Sequence, residues 1–358
     1  MKTNQNAAPK IGVVTLPGLF NYGNRLQNYA VVRIYRKLGY ATENLELLPQ
    51  KRVVRAFKAG VKKLIGRGEP AGSTQSAART EAFKAFGNDT ATRVFRKAGE
   101  VDEGGYAFIS TGSDQVWNPT YLTYCKDWYF LKFVQPEKRI ALAASIGLDD
   151  LTPAQAKLVA RGVEGFRRIS VRERRGAEPL RDCAGVEAEV VCDPTLVLSA
   201  EEWRAVADGQ CTPDEPYVFT YLLGGVGSEA SDVLDKVTDH GRIPVVSLSD
   251  RQKPNELDAG PAEFIDLIDH ASHVVTDSFH AAVFSSILHT PLTIVHREGG
   301  ASMFSRLEQL SQTLDINEKV YGSPTYDLAM AGEYGGVDEA IGCEREKFMK
   351  YLEGCLDG

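Results

Sequence analysis

The sequence lacks the features that mark metal-binding, secreted or membrane-spanning chains. Its six cysteines form no C-x-x-C pair and no Cys/His cluster with zinc spacing. We therefore expect a reduced, cytoplasmic protein without a metal centre. No run of 18 or more apolar residues is present, so no spanning helix is predicted. The first ten residues, MKTNQNAAPK, are polar, which predicts no secretory signal.

An overall excess of positive charge is also missing, because the formal net charge is −7. Lysine and arginine are instead concentrated in residues 51–97. This stretch contains twelve of them and three acidic residues, which gives it a local net charge of +9. This split argues against a general nucleic-acid binder and predicts one basic patch. Residues 51–67 predict a basic amphipathic helix, which either packs on its own domain with a solvated basic face or docks on anionic lipid.

The length of 358 residues exceeds the usual single core. Strand and helix patterns alternate twice along the chain, with a polar linker at residues 207–216 between the two series. The sequence thus predicts an α/β fold of two Rossmann-like domains facing a central cleft. We expect the first domain at residues 10–205, on the acceptor side, the second at 216–330, and a helical tail at 331–358.

A polar loop follows the first predicted strand, residues 10–16. Gly18 and Gly23 bracket this loop but do not match G-x-G-x-x-G, so a dinucleotide site is not indicated. The loop and the helix after it carry four polar residues that could reach a ligand at the sheet edge. These residues are Asn21, Asn24, Arg25 and Gln27. The alternative is that they only cap the helix and form turns.

Two further strand ends carry polar residues. Ser113 and Asp114 follow a predicted strand at residues 106–110 and either cap a short helix or bind a polyol. Arg172 lies at the tip of a strand at 169–173, where its planar fork suits a carboxylate or a phosphate. The structural alternative is an ion pair between Arg172 and Glu173 or Asp193.

His280 is the strongest candidate for chemistry. A buried strand is predicted at residues 272–276, a helix is predicted at 281–288, and Thr276, Asp277 and Ser278 offer three possible N-cap oxygens. His280 therefore falls in the first helical turn, where unpaired N–H groups favour bound anions. An imidazole there can hold an anion and deliver a proton near neutral pH. The alternative is a core histidine whose hydrogen bonds are satisfied.

Five ordered segments together resemble the polysaccharide pyruvyl transferase family. They are Asn21–Ala30, Gly112–Asn118, which includes Gln115, Ser170–Glu173, Asp193–Leu196, and Thr276–His280 with Ser305-Arg306. The resemblance implies a two-domain fold of the glycosyltransferase-B type. It also implies transfer of the pyruvyl group of phosphoenolpyruvate onto a sugar as a ketal, with Arg172 and His280 in the active site.

The resemblance also implies a difference in donor binding. Relatives often carry arginine two positions before the histidine, where this sequence has Ser278, next to Asp277. Arg297 or Arg306 could supply the missing charge. Phosphoenolpyruvate and a lipid-linked or nucleotide-linked sugar are the expected substrates, with no cofactor, no metal and no nucleic acid.

Two competing functions remain open. One is a sugar-nucleotide-dependent glycosyltransferase that uses the same cleft, and the other is a non-catalytic glycan-binding protein. If the acceptor is a precursor of a bacterial cell-envelope polysaccharide on a lipid carrier, we expect peripheral contact between residues 51–67 and the inner face of the membrane.

Overall fold

Two parallel sheets organise the protein. The structure is a computed structural model that describes residues 8–16, 18, 20–48, 75–120, 122, 126–148, 150–298 and 304–357. In the first sheet the strand order is β3-β2-β1-β4-β5-β6-β7, and neighbouring strands are parallel. Its strands are β1 Lys10–Val14, β2 Ala41–Leu47, β3 Thr92–Phe95, β4 Phe108–Thr111, β5 Arg139–Ala144, β6 Ile169–Val171 and β7 Glu189–Val190.

The second sheet has four parallel strands in the order β11-β10-β8-β9. These strands are β8 Val218–Tyr221, β9 Val245–Leu248, β10 His273–Thr276 and β11 Leu292–Ile294. Chain order reverses between β1 and β4 in the first sheet and between β8 and β10 in the second. Open parallel sheets bind ligands outside the carboxyl ends of their strands at such reversals. Each domain therefore offers one binding edge.

Helices connect the strands, as parallel pairing requires. They are α1 Tyr22–Lys37, α2 Ala77–Ala85, α3 Lys126–Tyr129, α4 Pro153–Val163, α5 Arg174–Ala184, α6 Ala200–Arg204, α7 Ser228–Val237, α8 Pro261–Asp269, α9 Phe279–Leu288, α10 Ser305–Thr313 and α11 Val337–Leu356. Local sequence explains several ends. Thr152 and Gln155 form a capping box at the start of α4, and Gly185 ends α5 with φ 62°.

The architecture confirms the predicted α/β class with two Rossmann-like domains. The strand predicted at residues 272–276 is observed as β10, which begins one residue later and ends as predicted. Two strands were not predicted, β2 and β3, which lie at one side of the first sheet. Leu45 is the one buried residue of β2 and Phe95 that of β3. Their composition is therefore more polar than that of a central strand.

A continuous apolar core joins the two domains. Tyr22 of α1 stacks on Phe264 of α8 with ring centroids 4.6 Å apart, and its hydroxyl donates to the carbonyl of Ala259 at 2.8 Å. The last helix, α11, returns to the first sheet, where the Tyr351 hydroxyl donates to the carbonyl of Ala141 at 2.8 Å. The predicted domain boundaries stay predictions. The basic helix predicted at residues 51–67 lies outside the described residues.

We expect His273 of β10 to make the stability of the fold depend on pH. Burial, with a smaller contribution from Lys319, lowers its pKa to about 4, and its Nε2 lies 2.9 Å from the Thr293 hydroxyl. The unfolded chain binds this proton near pH 6.5, so stability is highest above that pH and falls as the pH drops toward 4. We expect a loss of about 3 kcal/mol from this residue across that window.

The measurement is urea unfolding of the wild type and His273→Gln between pH 4 and pH 7. The variant should lose less stability than the wild type as the pH falls. His270→Gln, which changes an exposed histidine at the end of α8, should keep the wild-type slope. Equal slopes for the wild type and His273→Gln would contradict the prediction.

Candidate active site

The binding edges of the two sheets meet at a buried polar cluster. Asp114 follows β4, Arg172 follows β6 and Asp193 follows β7, all in the first domain. His280 comes from the second domain, in the first turn of α9. Exposed fractions of these four residues do not exceed 8%. The structure thus brings together three residues that the sequence predicted, Asp114, Arg172 and His280, and adds Asp193.

Arg172 lies at the centre of this cluster. Its two terminal nitrogens lie 2.5 Å from an oxygen of Asp193 and 3.4 Å from one of Asp114, and its Nε lies 3.9 Å from Glu173. The guanidinium carbon lies 4.8 Å from the ring centroid of Phe279. The ion pair with Asp193, left open as an alternative by the sequence, is therefore formed. A role of Arg172 in donor binding stays a prediction.

The charges of Arg172 and Asp193 stabilise each other. Burial alone would lower the pKa of the guanidinium, but Asp193, Asp114 and Glu173 raise it above its usual value. Burial would also raise the pKa of the Asp193 carboxyl, but Arg172, His280 and Thr195 hold it below its usual range. Both groups therefore stay charged at neutral pH.

Asp193 is fixed on both oxygens. Its Oδ1 accepts hydrogen bonds from the backbone N–H and the hydroxyl of Thr195, at 3.0 and 2.6 Å. Its Oδ2 faces both Arg172 and the Nε2 of His280, which lies 3.6 Å away. That distance is too long for a hydrogen bond but close enough for attraction of an imidazolium. Asp193 can thus orient His280 and stabilise its protonated form.

His280 is held between two segments of the first domain. One edge of its ring faces Asp193, and the other faces Gly23 of α1, where an added Cβ would lie 2.1 Å from Nδ1. Its place in the first turn of a helix after a buried strand is as predicted. The position of the His280 ring therefore depends on how the two domains pack together. Its catalytic role stays a prediction.

Asp277 connects the ends of β8 and β10. Its carboxylate accepts hydrogen bonds from the backbone N–H groups of Leu223 and Gly224, at 2.7 and 2.8 Å. Arg297 donates to the same carboxylate from Nε at 3.3 Å. Asp277 and Arg297 therefore hold the loop after β8, and any contact of theirs with substrate would come in addition to this role.

The N-terminus of α9 has no side-chain cap. Ser278 occupies the N-cap position, but its side chain makes no capping hydrogen bond. Its own backbone N–H donates to the hydroxyl of Thr276 at 3.0 Å. The sequence predicts three possible N-cap oxygens, on Thr276, Asp277 and Ser278. In the structure, the side chains of Thr276 and Asp277 make other contacts. A helix start without a cap is suited to a bound anion.

Arg306, in the first turn of α10, lines the same cleft as Arg172, Asp193 and Phe279. Burial and the nearby charge of Arg172 lower the pKa of its guanidinium. Gln309 of the same helix donates to the carbonyl of Arg172 at 3.1 Å and accepts from the N–H of Arg174 at 2.8 Å. Helix α10 thus brings positive charge to the cleft and fixes the end of β6.

Gln27 and Ser113 connect loops within the first domain. The side chain of Gln27 donates to the Thr15 hydroxyl at 2.8 Å and accepts from the N–H of Ser113 at 3.0 Å. The hydroxyl of Ser113 donates to the carbonyl of Ala143 at 3.1 Å. Both residues are fully buried. They therefore shape the loops at the edge of the first sheet.

The other predicted residues of the first domain also make internal contacts. Asn21 caps α1 by accepting from the N–H of Asn24 at 2.9 Å, and it donates to Asp250 of the second domain at 3.3 Å. Arg25 donates to two carbonyls at 3.2 and 2.7 Å, those of Phe83 and Phe86. Gln115 accepts from Asn118 at 2.8 Å. The capping alternative is thus realised at Asn21.

Sequence reasoning did not predict the roles that several residues have in building the site. Glu173 accepts from the Ser145 hydroxyl at 2.9 Å and from the N–H of Ile146 at 2.8 Å, which fixes the loop after β5. Gln309 and Gly23 contact the site across the domain interface. A polar residue directly after a strand was the available signal for Glu173. The spacing of residues along the sequence does not indicate the roles of Gln309 and Gly23, because their partners belong to the opposite domain.

Replacing Gly23 with alanine should displace the imidazole of His280. The new methyl group would occupy the position 2.1 Å from Nδ1, so the ring must move. A displacement of about 1 Å can lower turnover by about 10²-fold. The matched control is Gly342→Ala in α11, where an added Cβ meets nothing within 4 Å and stability should rise by up to about 1 kcal/mol. Equal turnover in the two variants would contradict this contact.

The chain is similar to several solved structures. The S. aureus MnaA-UDP co-structure gives a TM-score of 0.52 at 9% identity, covering 98% of this chain and 97% of that one. UDP-GlcNAc 2-epimerase from Neisseria meningitidis bound to UDP-GlcNAc gives 0.43 at 10% identity, covering 95% and 100%. The glycosyltransferase SnogD from Streptomyces nogalater gives 0.42 at 13% identity, covering 98% of both. The first confirms the two-domain Rossmann-like fold.

A sequence comparison identifies the family. No curated protein matches the chain. Residues 21–296, more than half of the chain, match the family described as polysaccharide pyruvyl transferase. The match contains α1 with its N-cap Asn21, the polar strand ends of the first domain and the junction at His280. The chain therefore belongs to the polysaccharide pyruvyl transferase family of enzymes.

Proposed function

We propose that the enzyme transfers the pyruvyl group of phosphoenolpyruvate onto a sugar of a cell-surface polysaccharide precursor, as a ketal. The arrangement of two arginines and a histidine around one cleft supports this reaction. Arg172 and Arg306 line this cleft together with Asp193 and with Phe279, the first residue of a helix that has no side-chain cap. The buried His280, in the first turn of that helix, lies 3.6 Å from Asp193. Phosphoenolpyruvate carries a carboxylate and a phosphate on a small frame, and both need positive groups.

Charge favours Arg306 as the arginine that replaces the one absent at Ser278. Arg172 and its three carboxylates carry a net negative charge, so an anionic donor needs further positive groups. Arg297 lies on Asp277 and holds a loop, whereas Arg306 lies close enough to Arg172 to lower its own pKa. Arg306 and the N–H groups at the start of α9 therefore form the proposed anion site.

His280 is the proposed proton donor. It transfers a proton to the methylene carbon of phosphoenolpyruvate, which makes C2 an oxocarbenium-like centre. One sugar hydroxyl adds to C2 and returns a proton to His280. A second hydroxyl then displaces phosphate and its proton leaves with the phosphate, which completes the ketal. Asp193, 3.6 Å from Nε2, stabilises the imidazolium before the first step and after the return of the proton.

A second function is compatible with the fold. A structure of the same fold holds UDP, so a sugar-nucleotide-dependent glycosyltransferase is the alternative. In the test, the protein is incubated with phosphoenolpyruvate or a UDP-sugar as donor and with a panel of lipid-linked and nucleotide-linked sugars as acceptors. The same incubations are repeated with EDTA. A mass gain of one pyruvyl ketal with release of phosphate supports the proposal. Release of UDP supports the alternative, and binding without either product supports a non-catalytic glycan-binding protein.

Membrane contact is part of the proposal for lipid-linked acceptors. No helix in the described ranges is long and apolar enough to span a bilayer. The basic residues 51–67 would provide peripheral contact, at about 1 kcal/mol per engaged side chain. Co-sedimentation with anionic liposomes should be lost at high salt and in the variant with Lys58, Lys62 and Lys63 changed to Glu. Binding that neither change affects would contradict docking through this segment.

A further inference from the structure

The start of α1, in the first domain, contacts the second domain through three consecutive residues, Asn21, Tyr22 and Gly23. Tyr22 belongs to the apolar core that joins the domains, and Gly23 packs against the ring of His280. Asn21 makes the polar contact, because its side-chain amide donates to a carboxylate oxygen of Asp250 at 3.3 Å. Asn21 therefore ties the start of α1 to the carboxyl edge of the second sheet, where Asp250 follows β9.

The ring of His280 depends on packing for its position. Its Nε2 is buried and has no hydrogen-bond partner among the described residues, and Asp193 lies 3.6 Å from this atom. On the opposite edge, the ring contacts Gly23 so closely that an added Cβ would lie 2.1 Å from Nδ1. A ring that no hydrogen bond fixes at Nε2 moves with the backbone against which it packs. The starts of α1 and α9 therefore determine where the imidazole lies.

Asp250 reaches the start of α1 through its N-cap residue. One oxygen of the Asp250 carboxylate accepts from the side-chain amide of Asn21, whose own side-chain oxygen accepts from the N–H of Asn24 at 2.9 Å. Both ends of the Asn21 side chain are thus used. A capping residue fixes the first turn of its helix, and this turn contains Gly23. Without Asp250, Asn21 still caps α1 but no longer connects it to the second sheet.

Asp250 reaches the start of α9 through Tyr221, the last residue of β8. The second oxygen of the Asp250 carboxylate accepts from the Tyr221 hydroxyl. The backbone carbonyl of Tyr221 accepts from the hydroxyl of Thr276 at 2.6 Å. The Thr276 hydroxyl in turn accepts from the N–H of Ser278, the N-cap residue of α9, at 3.0 Å. Hydrogen bonds therefore connect Asp250 to both helix starts that enclose His280.

We propose that Asp250, with Asn21 and Tyr221, positions His280 for proton transfer. Asp250 acts through the two helix starts and is a positioning residue. Hydrogen bonds to a carboxylate are about twice as strong as neutral ones, so an uncharged side chain at this position would hold both starts less firmly. The inference rests on the proposed function in treating His280 as the proton donor, but its main test needs neither donor nor acceptor.

The main test is NMR of the full chain with carbon-13 at Cε1 of its six histidines. The spectrum of His280→Gln identifies the His280 signal. Tyr221→Phe removes one hydroxyl and no charge, and we expect it to shift this signal because α9 loses its connection to Asp250. Asp250→Ala, which disconnects both helices, should cause a larger shift. Asp250→Asn keeps one oxygen acceptor and should lie between Asp250→Ala and the wild type.

The matched control removes an acid beside another histidine. Asp235 lies 3.0 Å from Nδ1 of the exposed His240, so Asp235→Ala should shift the His240 signal and leave that of His280 in place. Circular dichroism checks the folding of every variant. An unchanged His280 signal in folded Tyr221→Phe and Asp250→Ala would overturn the positioning role, as would an equally large shift in Asp235→Ala.

The phosphoenolpyruvate assay on the same samples measures the consequence for turnover. We expect Asp250→Ala to lower kcat by about 10²-fold, the effect of a displacement of about 1 Å, and Asp250→Asn to restore part of the rate. The KM for phosphoenolpyruvate should stay unchanged, because Arg172 and Arg306 keep their places. A wild-type kcat, with or without a raised KM, would overturn the inference. Signals that shift as expected in a protein that releases no phosphate from phosphoenolpyruvate would overturn the proposed reaction and support the positioning of His280.

Discussion

Changing His280 to alanine is expected to lower turnover by about 10²–10⁴-fold, the usual effect of losing a positioned acid or base. The fold should survive this change. Asp193 keeps its contacts with Arg172 and Thr195, so no buried carboxylate loses all its partners. The measurement is the rate of phosphate release at saturating phosphoenolpyruvate and acceptor, with unfolding by urea followed in parallel.

The comparison variant for His280 is His240→Ala, which removes a histidine that is 74% exposed and should keep full turnover. A second check is addition of free imidazole to His280→Ala. The removed ring leaves space between Gly23 and Asp193, so imidazole should restore part of the rate if proton transfer was lost. Near-normal turnover in folded His280→Ala would remove this residue from the mechanism.

The central strands of both sheets could be predicted from the sequence because their residues are buried and apolar. Strand β5, RIALAA, is such a run, and five of its six residues are buried. Strand β2, ATENLEL, carries Glu43, Asn44 and Glu46 and buries one residue. Its polar residues contact neighbouring elements: Asn44 pairs with Asn28 of α1, and Glu43 accepts from the Tyr106 hydroxyl. A pattern rule that looks for apolar runs therefore misses this strand.

The candidate site was predictable to the extent that each residue follows a strand. Asp114, Arg172 and His280 all lie at strand ends, and parallel strands bring such ends to one edge. What each side chain contacts could not be predicted. His280 contacts Gly23 and Asp193 across the interface, and Gln309 holds the end of β6. These contacts depend on how two domains pack, and the spacing within either domain carries no information about that packing.

The same limit applies to the role of Arg172. A strand-end arginine suits an anionic ligand, and the structure surrounds it with three acids of the protein itself. Its positive charge therefore stabilises the site before any donor arrives. Donor binding and stability are separate properties, and two substitutions at this position distinguish them.

Arg172→Ala is expected to lower the free energy of unfolding by about 3–5 kcal/mol at pH 7, since it leaves buried carboxylates without their cation. The sign of the pH dependence follows from Asp193. Its pKa is depressed in the folded wild type, so its stabilising contribution is present above the unfolded pKa and is lost as the pH falls. The difference between wild type and variant should therefore shrink toward low pH. Urea unfolding measures it, with Arg181→Ala on the surface as a control that stays within about 0.5 kcal/mol of wild type.

Arg172→Lys separates charge from geometry. Lysine keeps the positive charge but cannot contact Asp193 and Asp114 at once with a planar fork. We expect most of the stability lost in Arg172→Ala to be retained, while the KM for phosphoenolpyruvate rises, because the end of β6 and the Asp193–His280 contact shift. Steady-state kinetics with varied phosphoenolpyruvate at saturating acceptor test this. If the lysine variant saturates like the wild type, Arg172 supports the site only through its charge and takes no part in donor binding.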